Sequence, residues 1–433
     1  MPPLRSAVFN LLLVVVSLCL SLLMVEGAVR ALHLAPPPEP PGWFWRIPDP
    51  QTGWSLQPDS EGRWFNARYE YDVEVRINSQ GLRDVERSGY EKPAGTYRIL
   101  LIGDSFVEGI RVPLEQTFAK QLEAELKRAW TDEHAGPEGV KRPEVVNAGV
   151  GGWGTDQELL WYRAEGRKYD PDLVILAFFP ANDFMNNSEE LESSNMGRVL
   201  KPFFHLEGDQ LTLRHYPYAP ESNEKTQAAD ANARAPAPLT PVREWLHRHS
   251  ALYRWLAPRI PSMDVRLAAK LVAWGLLERG QEVARAELGP DYVPVAYGVY
   301  HIPPAPAWQD TFRLTEALLD AFNRDVQDQG ARLLVVILPS REQVYAEQWQ
   351  RILAQYPAMR GQSWDVEQPN RLLHGMLERL GIPYLDMLPL FKAQVAAGAP
   401  PLYLQHDGHW TAAAEALAGR LVADFVRKQV DRN

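Results

Sequence analysis

A buried-strand pattern that ends in Gly-Asp-Ser constrains the fold of this chain more than any other stretch. Residues Ile99–Ile102 form a short continuous apolar run, which is typical of a strand buried on both faces of a parallel sheet. Gly103 ends the run, and Asp104 and Ser105 follow where the strand gives way to a loop. Because open α/β sheets bind ligands at the carboxyl ends of their strands, the pattern predicts that Ser105 lies at a binding edge.

Ser105 has two interpretations at this point. It is a nucleophile if a base lies within hydrogen-bonding reach. Asp and Ser are also favoured N-cap residues, so the alternative is that Asp104 or Ser105 only caps the next helix. The rest of the chain has to distinguish the two.

Strand and helix patterns alternate along the chain on both sides of a long interruption. This alternation predicts a three-layer α/β/α fold with a parallel sheet of about five strands. The other predicted strands are Glu144–Asn147, Leu173–Phe179, Leu333–Leu338 and Pro383–Asp386. The predicted helices include Thr155–Glu165, Trp308–Gln329, Asn370–Leu380 and Ala412–Lys428.

An apolar run near the amino terminus predicts a membrane segment. Val8–Val25 is about 18 residues long, close to the roughly 20 that a spanning helix needs. A cleavable signal peptide is the competing interpretation, but no clean small-x-small cleavage site follows. We favour an uncleaved anchor, with the amino terminus inside and everything after it exported.

The composition divides the chain into five segments. An N-terminal membrane anchor and helix occupies 1–34, and a Pro-rich spacer with a small β-rich cover segment occupies 35–95. The α/β domain occupies 96–186 and 305–433, and a helical insertion occupies 187–304. Within the insertion we expect a flexible stretch at 221–241, followed by helices over Val242–Leu288 that form a lid or a docking surface.

Charge and cysteine content exclude two classes of protein. The formal net charge of −10 provides no basic footprint, so we expect no nucleic-acid partner. The single cysteine excludes a disulfide framework within the chain.

Polar and glycine residues follow the next two strands of the α/β domain. The loop Ala148–Gly154 contains four glycines, lacks a Walker lysine and dinucleotide spacing, and allows backbone amides to approach a substrate closely. Asn182 and Asp183 follow the third strand. These groups are therefore expected at the same edge of the sheet as Ser105.

The stretch before the last helix supplies the base that a serine nucleophile needs. His406, Asp407 and His409 lie together there, and a His–Asp pair is typical of nucleophile activation. A metal site is the alternative, since all three are possible ligands. No second His/Asp/Glu cluster in the sequence suggests a further ligand, so we expect neither a metal nor a cofactor.

Four blocks in this order resemble the SGNH superfamily, also called GDSL hydrolases, over Thr96–Phe184 and Gly330–Val426. The blocks are Gly-Asp-Ser at Ser105, the stretch Asn147–Gly154, Ala-Asn-Asp at Asn182, and Asp-Gly-His at His409. The chain is most similar to membrane-anchored bacterial members, which share the motifs Asn78–Arg83 and Gly154–Gln157.

Two departures from the family pattern stand out. The final block usually has two residues between Asp and His, whereas only Gly408 intervenes here. The resulting Asp-x-His-Trp form resembles acetyl-handling relatives that modify exported polysaccharides. The third block has Ala181 where glycine is common.

The resemblance implies a role for each block. Ser105 would be the nucleophile and His409 the base, with Asp407 orienting the imidazole. His406 is expected at the surface, although it stays open as an alternative base.

The oxyanion hole and the turn beside it follow from the same resemblance. Its donors would be the Ser105 and Gly152 N–H groups and the Asn182 side-chain amide. Asp104 would support the turn.

The implied function is a membrane-tethered, extracytoplasmic serine esterase of SGNH type that hydrolyses acyl esters. The expected substrate is an O-acetyl group on a polysaccharide or another carbohydrate ester, and the catalytic domain is expected in the periplasm or outside. The alternative is an O-acetyltransferase that modifies an exported polysaccharide through the same acyl-enzyme.

Overall fold

The computed structural model describes residues 3–38, 45–130, 142–196, 199–219, 237–280, 283 and 286–430. Much of the predicted flexible stretch, residues 221–236, lies outside these ranges, as does the end of the Pro-rich spacer, residues 39–42. The chain separates into two compact units. The first comprises Met1–Pro41, Phe65–Asp72 and Ala229–Pro290, and the second comprises Gly42–Trp64, Val73–Ala228 and Asp291–Asn433.

The strands and helices are numbered in chain order. The strands are β1 Arg46–Asp49, β2 Gly53–Leu56, β3 Glu61–Phe65, β4 Asp72–Arg76, β5 Thr96–Gly103, β6 Arg142–Gly149, β7 Leu173–Phe178, β8 Phe203–Glu207, β9 Gln210–Arg214, β10 Arg332–Ile337 and β11 Tyr384–Asp386. The helices are α1 Pro3–Ala31, α2 Ser105–Glu108, α3 Phe118–Ala129, α4 Thr155–Ala164, α5 Asp183–Asn186, α6 Glu189–Met196, α7 Thr240–His249, α8 Ala251–Leu256, α9 Ile260–Met263, α10 Val265–Trp274, α11 Pro306–Gln327, α12 Arg341–Val344, α13 Ala346–Gln355, α14 Gln368–Leu380, α15 Leu388–Ala396 and α16 Ala412–Val430.

The second unit contains the predicted five-stranded parallel sheet, in the order β6-β5-β7-β10-β11. The prediction of an α/β fold with a parallel sheet of about five strands is therefore confirmed. The first strand of the sheet, β5, lies between the second and the third, so the direction of strand addition reverses beside it. Such a switch point is where open α/β sheets bind their ligands, and only Asp104 lies between the end of β5 and Ser105.

Alternate side chains of each strand enter two different hydrophobic cores. Leu100 and Ile102 of β5 belong to one core with Leu318 of α11. Ile99 and Leu101 belong to the other core with Leu122 of α3. Because strand side chains alternate between faces, helices cover the sheet on both sides and every residue of Ile99–Ile102 is buried.

Short antiparallel hairpins accompany the sheet. The pair β1–β2 belongs to the predicted cover segment. The pair β8–β9 lies within the predicted insertion, and the sequence pattern there did not indicate it. Phe203 and Phe204 of β8 are buried, and Phe204 packs in the same core as Leu100.

The first unit combines α1 with the helices α7–α10 of the insertion. Val8–Ala31 is apolar enough to cross a membrane, with a mean hydropathy of 2.8, although a signal sequence also has this character. Near its end, Glu26 accepts hydrogen bonds from Ser250 Oγ at 2.9 Å, Ala251 N at 2.9 Å and Leu252 N at 2.8 Å.

This carboxylate therefore caps α8, because it satisfies first-turn N–H groups that have no partner within the helix. Arg30 adds a hydrogen bond from its guanidinium to the His249 carbonyl at 2.6 Å. The end of α1 is thus part of the folded unit and not only an apolar leader.

The buried carboxyl of Glu415 in α16 predicts a pH dependence of stability. It accepts the Phe118 N–H at 2.7 Å, and burial raises its pKa from 4.5 to about 8, against the opposing influence of Arg83 and Arg111. A raised carboxyl pKa means that the folded protein holds a proton that the unfolded chain releases. The free energy of unfolding should therefore fall as pH rises from about 4.5 to 8.

Glu415→Gln should flatten this part of the curve, because an amide at this position does not titrate. Urea unfolding of the full chain in detergent across this pH range would measure it, with Glu347→Gln on the exposed face of α13 as the matched control. Parallel curves for the wild type and Glu415→Gln would contradict the assignment.

Candidate active site

Ser105 begins a single helical turn, α2, one residue beyond the end of β5. Asp104 Oδ1 accepts the Phe106 N–H at 2.9 Å and so caps this turn. Gly103 is required by the close packing, because a Cβ there would lie 2.5 Å from Val107 Cγ2. Asp104 therefore caps α2. Ser105 is not the capping residue and occupies the first position of the turn.

The imidazole of His409 lies against the Ser105 hydroxyl. Ser105 Oγ and His409 Nε2 are 2.8 Å apart, and His409 Nδ1 is 2.5 Å from Asp407 Oδ1. Since an ionised carboxylate can only accept, Nδ1 carries the proton and Nε2 is left to accept from Ser105. The structure thus brings together the three residues that the sequence predicts as a triad, whereas His406 is exposed.

Gly408 allows the shortened Asp-x-His spacing. Its φ of +83° lies in the left-handed region that favours glycine. Leu404 N donates to the His409 carbonyl at 2.8 Å, and Tyr403 forms a bridge with Trp410 across the same turn. This tight turn folds the Asp407 side chain back onto the ring of His409.

Arg111 is a site residue that the sequence analysis did not identify. Its Nε lies 3.3 Å from Asp407 Oδ1, and both side chains are largely buried, at 11% and 13% exposure. It places a positive charge beside the carboxylate that orients His409. No motif in the sequence indicates this contact, because Arg111 and Asp407 are nearly 300 positions apart.

The glycine-rich loop after β6 packs directly on α2, the helical turn that begins at Ser105. A Cβ at Gly149 would lie 2.1 Å from Glu108 N, and one at Gly151 would lie 3.3 Å from Ser105 Cβ. Gly152 has a φ of +80°. The absence of side chains at Gly149 and Gly151 allows this close approach of the loop backbone to α2.

The buried carboxylate of Glu108 fixes the position of that loop. It accepts the Gly151 N–H at 2.6 Å and the Trp45 Nε1–H at 3.0 Å. Arg46 forms an ion pair with it at 3.3 Å. Trp54 Nε1 also donates to the Gly151 carbonyl at 3.1 Å. The hairpin β1–β2 therefore borders the loop from the other side.

The side chain of Asn182 is hydrogen-bonded to Asp104, the residue that caps α2. Its Nδ2 donates to Asp104 Oδ2 at 3.0 Å. Since an amide NH₂ has two donors, this bond uses one and leaves the second for an oxyanion. Asp104 thus supports both the turn and the third predicted donor.

Three buried carboxyls, those of Asp104, Glu158 and Asp183, lie close to one another near Asn182. Burial raises the pKa of Asp104 in spite of its hydrogen bonds from Phe106 and Asn182. Burial and neighbouring carboxyls raise the pKa of Glu158 and of Asp183 well above their ordinary values. Neither oxygen of Glu158 has a hydrogen-bond partner within the part of the chain that the structure describes. Burial and the neighbouring carboxyls therefore favour the uncharged form of Glu158 and Asp183, which opposes a build-up of negative charge beside the site.

The two motifs that precede and follow β5 and β6, Asn78–Arg83 and Gly154–Gln157, both contact the surroundings of Ser105. Arg83 is buried and donates to the carbonyls of Glu108 at 3.0 Å, Gly109 at 2.8 Å and Val112 at 2.6 Å. The Arg83 guanidinium therefore provides hydrogen bonds to the carbonyl groups at the end of α2 and just after it.

The second motif connects the glycine-rich loop to its surroundings. Gln157 donates to the Thr52 carbonyl at 2.6 Å, and its side-chain oxygen accepts the Gly154 N–H at 3.2 Å. Asp156 forms a fully buried ion pair with Lys201 at 2.6 Å. Among the described residues, no group of three or more His, Cys, Asp or Glu side chains has the arrangement of a metal site.

Comparison with known families identifies the second part of the α/β domain. Residues 304–433 match the family described as "SGNH hydrolase-like domain, acetyltransferase AlgX". The matched region includes Asp407 and His409, whereas Ser105 lies outside it. The predicted resemblance to SGNH hydrolases is confirmed over this stretch. No curated protein matches the chain.

Solved structures give distant likenesses. The acetyl xylan esterase AlAXEase is 11% identical, over 77% of this chain and 99% of that chain, with a TM-score of 0.35. A lipase/acylhydrolase from Enterococcus faecalis is 14% identical, over 77% and 96%, with a TM-score of 0.34. The acetylxylan esterase Axe2 from Geobacillus stearothermophilus, as a catalytic mutant, is 10% identical, over 76% and 93%, with a TM-score of 0.34.

Replacement of Ser105 or His409 by alanine should abolish turnover of an aryl ester. We expect kcat to fall by a factor of ~10⁴–10⁶ in each case, with no further loss in the double variant, because the two side chains act as one unit. His406→Ala is the matched control and should retain activity. Turnover by His409→Ala together with an inactive His406→Ala would reverse the assignment of the base.

Asn182→Ala should lower kcat by ~10²–10³ with little change in KM, because an oxyanion donor acts mainly in the transition state. Steady-state kinetics on an aryl acetate would measure this, with Asn323→Ala on α11 as the control. A loss confined to thermal stability, with kcat unchanged, would leave Asn182 only as the partner of Asp104.

Proposed function

We propose that this chain, an SGNH-type ester hydrolase or acyltransferase by its family match, is a membrane-tethered esterase that removes O-acetyl groups from a carbohydrate. The hydrogen-bonded series Ser105–His409–Asp407 carries the proposal. It lies at the switch point of the sheet, beside a glycine-rich loop whose backbone packs closely against Ser105.

In the first step Ser105 Oγ attacks the acyl carbonyl and gives its proton to His409 Nε2. The imidazolium that forms is stabilised by Asp407, which keeps the ring in the tautomer that can accept. Collapse of the tetrahedral intermediate breaks the bond to the alcohol, and the leaving oxygen takes the proton from His409. The product is an acyl-enzyme on Ser105.

The negative charge of the intermediate needs donors that are in place before the reaction. The Ser105 and Gly152 N–H groups and the free N–H of Asn182 are the proposed donors. Ser105 N also belongs to the amino-terminal end of α2, where the helix favours negative charge. Glu108 and Asp104 hold these donors in position through Gly151 and Asn182.

The second step decides between hydrolase and transferase. In the hydrolase, His409 takes a proton from water, which attacks the acyl-enzyme and releases the acid with Ser105 restored. In the transferase, a sugar hydroxyl takes the place of water. The word "acetyltransferase" in the description of the matched family is the observation that favours this second candidate.

The location of the enzyme follows from α1. A helix of this length and hydropathy near the amino terminus is that of a signal anchor or a single span. Its end caps α8, which supports retention of α1 in the mature protein. The catalytic residues all follow α1 in the chain, so we place them on the exported side.

Turnover of an aryl acetate by the full chain in detergent, with and without an acetyl-free sugar oligomer as acceptor, would test the function. The hydrolase should release acetate at the same rate as the aryl alcohol in both conditions. A transferase should convert part of that acetate into acetylated sugar, and Ser105→Ala should do neither. If the wild type releases no aryl alcohol from acetates or longer acyl esters, the proposal is wrong.

The membrane location has its own test. Full-length protein should stay with membranes after carbonate extraction, and its catalytic domain should be cleaved by protease added from the periplasmic side. Recovery of the full-length chain as a soluble cytoplasmic protein would contradict the topology.

A further inference from the structure

The insertion helices of the first unit expose large apolar side chains. Trp245 of α7 is 60% exposed, Met263 of α9 is 76% exposed, and Leu267 and Trp274 of α10 are 47% and 55% exposed. Leu267 and Trp274 are seven positions apart and so share one face of α10. Side chains of this size and exposure concentrated in adjacent helices indicate a contact surface.

These helices are held together as one body within their unit. Leu239 N at the start of α7 donates to the Trp274 carbonyl at the end of α10, at 2.9 Å. Tyr253 of α8 donates through its hydroxyl to the Leu276 carbonyl at 2.7 Å. The exposed side chains therefore belong to helices that are joined to one another, and we call the four of them the insertion surface (Trp245, Met263, Leu267 and Trp274).

The charge of the same segment is opposite to that of the whole chain. Residues 239–274 contain six Lys or Arg and two Asp or Glu, a net charge of +4 in a chain of net charge −10. Arg266 and Lys270 of α10 are exposed beside the apolar residues. Basic residues interleaved with Trp and Leu are typical of helices that lie in the interface of an anionic bilayer.

The end of the membrane helix places this unit at the depth of that interface. The apolar run Val8–Val25 extends over about 27 Å at a rise of about 1.5 Å per residue, close to the ~30 Å of the hydrocarbon core. Glu26, the next residue, therefore lies at the boundary. Its carboxylate holds the first turn of α8 there.

We propose that the insertion surface rests on the outer face of the membrane, with its aromatic and aliphatic side chains in the boundary between headgroups and acyl chains. Anionic lipid headgroups are the partners of its basic residues. This inference rests on the proposed anchoring through α1. It assigns these apolar side chains to a membrane contact instead of to an active-site lid. A second copy of the chain and the protein's own catalytic unit are the other possible occupants.

Site-specific fluorescence on the full chain would test the proposal. Cys19 is the only cysteine, so a Cys19→Ser background allows single labels with an environment-sensitive dye. Met263→Cys and Trp274→Cys would report on the insertion surface. Val85→Cys, 48% exposed in the second unit, is the matched control.

The labelled proteins would be reconstituted into phosphatidylcholine vesicles with and without phosphatidylglycerol. Quenching by a lipid with a nitroxide near the headgroup should be several times greater at Met263→Cys and Trp274→Cys than at Val85→Cys, and greater still with phosphatidylglycerol. Aqueous iodide should show the reverse order.

Two results would overturn the inference. Strong iodide quenching at the insertion surface with no lipid quenching would mean that it faces water. Protection from both quenchers would mean that protein covers it, as a dimer contact or a lid. Carbonate extraction of the same samples reports anchoring separately, and aryl acetate turnover reports both folding and the proposed activity.

Discussion

The carboxylate of Glu108 is the interaction on which the site depends. It is fully buried one turn after Ser105, and it binds the Gly151 N–H, the indole of Trp45 and the guanidinium of Arg46. A buried carboxylate is costly unless such partners surround it. Because those partners are the glycine-rich loop, Trp45 and the first residue of β1, the carboxylate is satisfied only when α2, the loop and the cover segment are assembled together.

The parallel sheet and the chemistry of its edge could be predicted from the sequence. Continuous apolar runs such as Ile99–Ile102 have few alternatives when helical patterns separate them. Polar residues at their ends then converge because parallel strands share one carboxyl edge. The Ser105–His409 contact at 2.8 Å is consistent with that reasoning, and the catalytic roles remain proposals that the substitutions above test.

Long-range pairing could not be predicted in the same way. Arg111 meets Asp407, and Lys201 meets Asp156, across separations for which a single sequence carries no periodic signal. The hairpin β8–β9 was missed because its strands are short and hold few buried residues. The grouping of α1 with the insertion helices depends on hydrogen bonds from Glu26 and Arg30, and both appear in the sequence only as charges after an apolar run.

The bonds from Arg83 to the carbonyls of Glu108, Gly109 and Val112 have a consequence for how the chain can be divided. In many α/β enzymes the first sheet strand is a natural place for a domain to begin. Here the end of α2 is completed by a guanidinium that precedes that strand. Trp45 and Trp54, which come still earlier in the chain, bind Glu108 of α2 and Gly151 of the glycine-rich loop. Trp45, Trp54 and Arg83, which all precede the sheet, therefore belong to the same compact unit as Ser105 and His409. A fragment that began at Thr96 would lack these contacts.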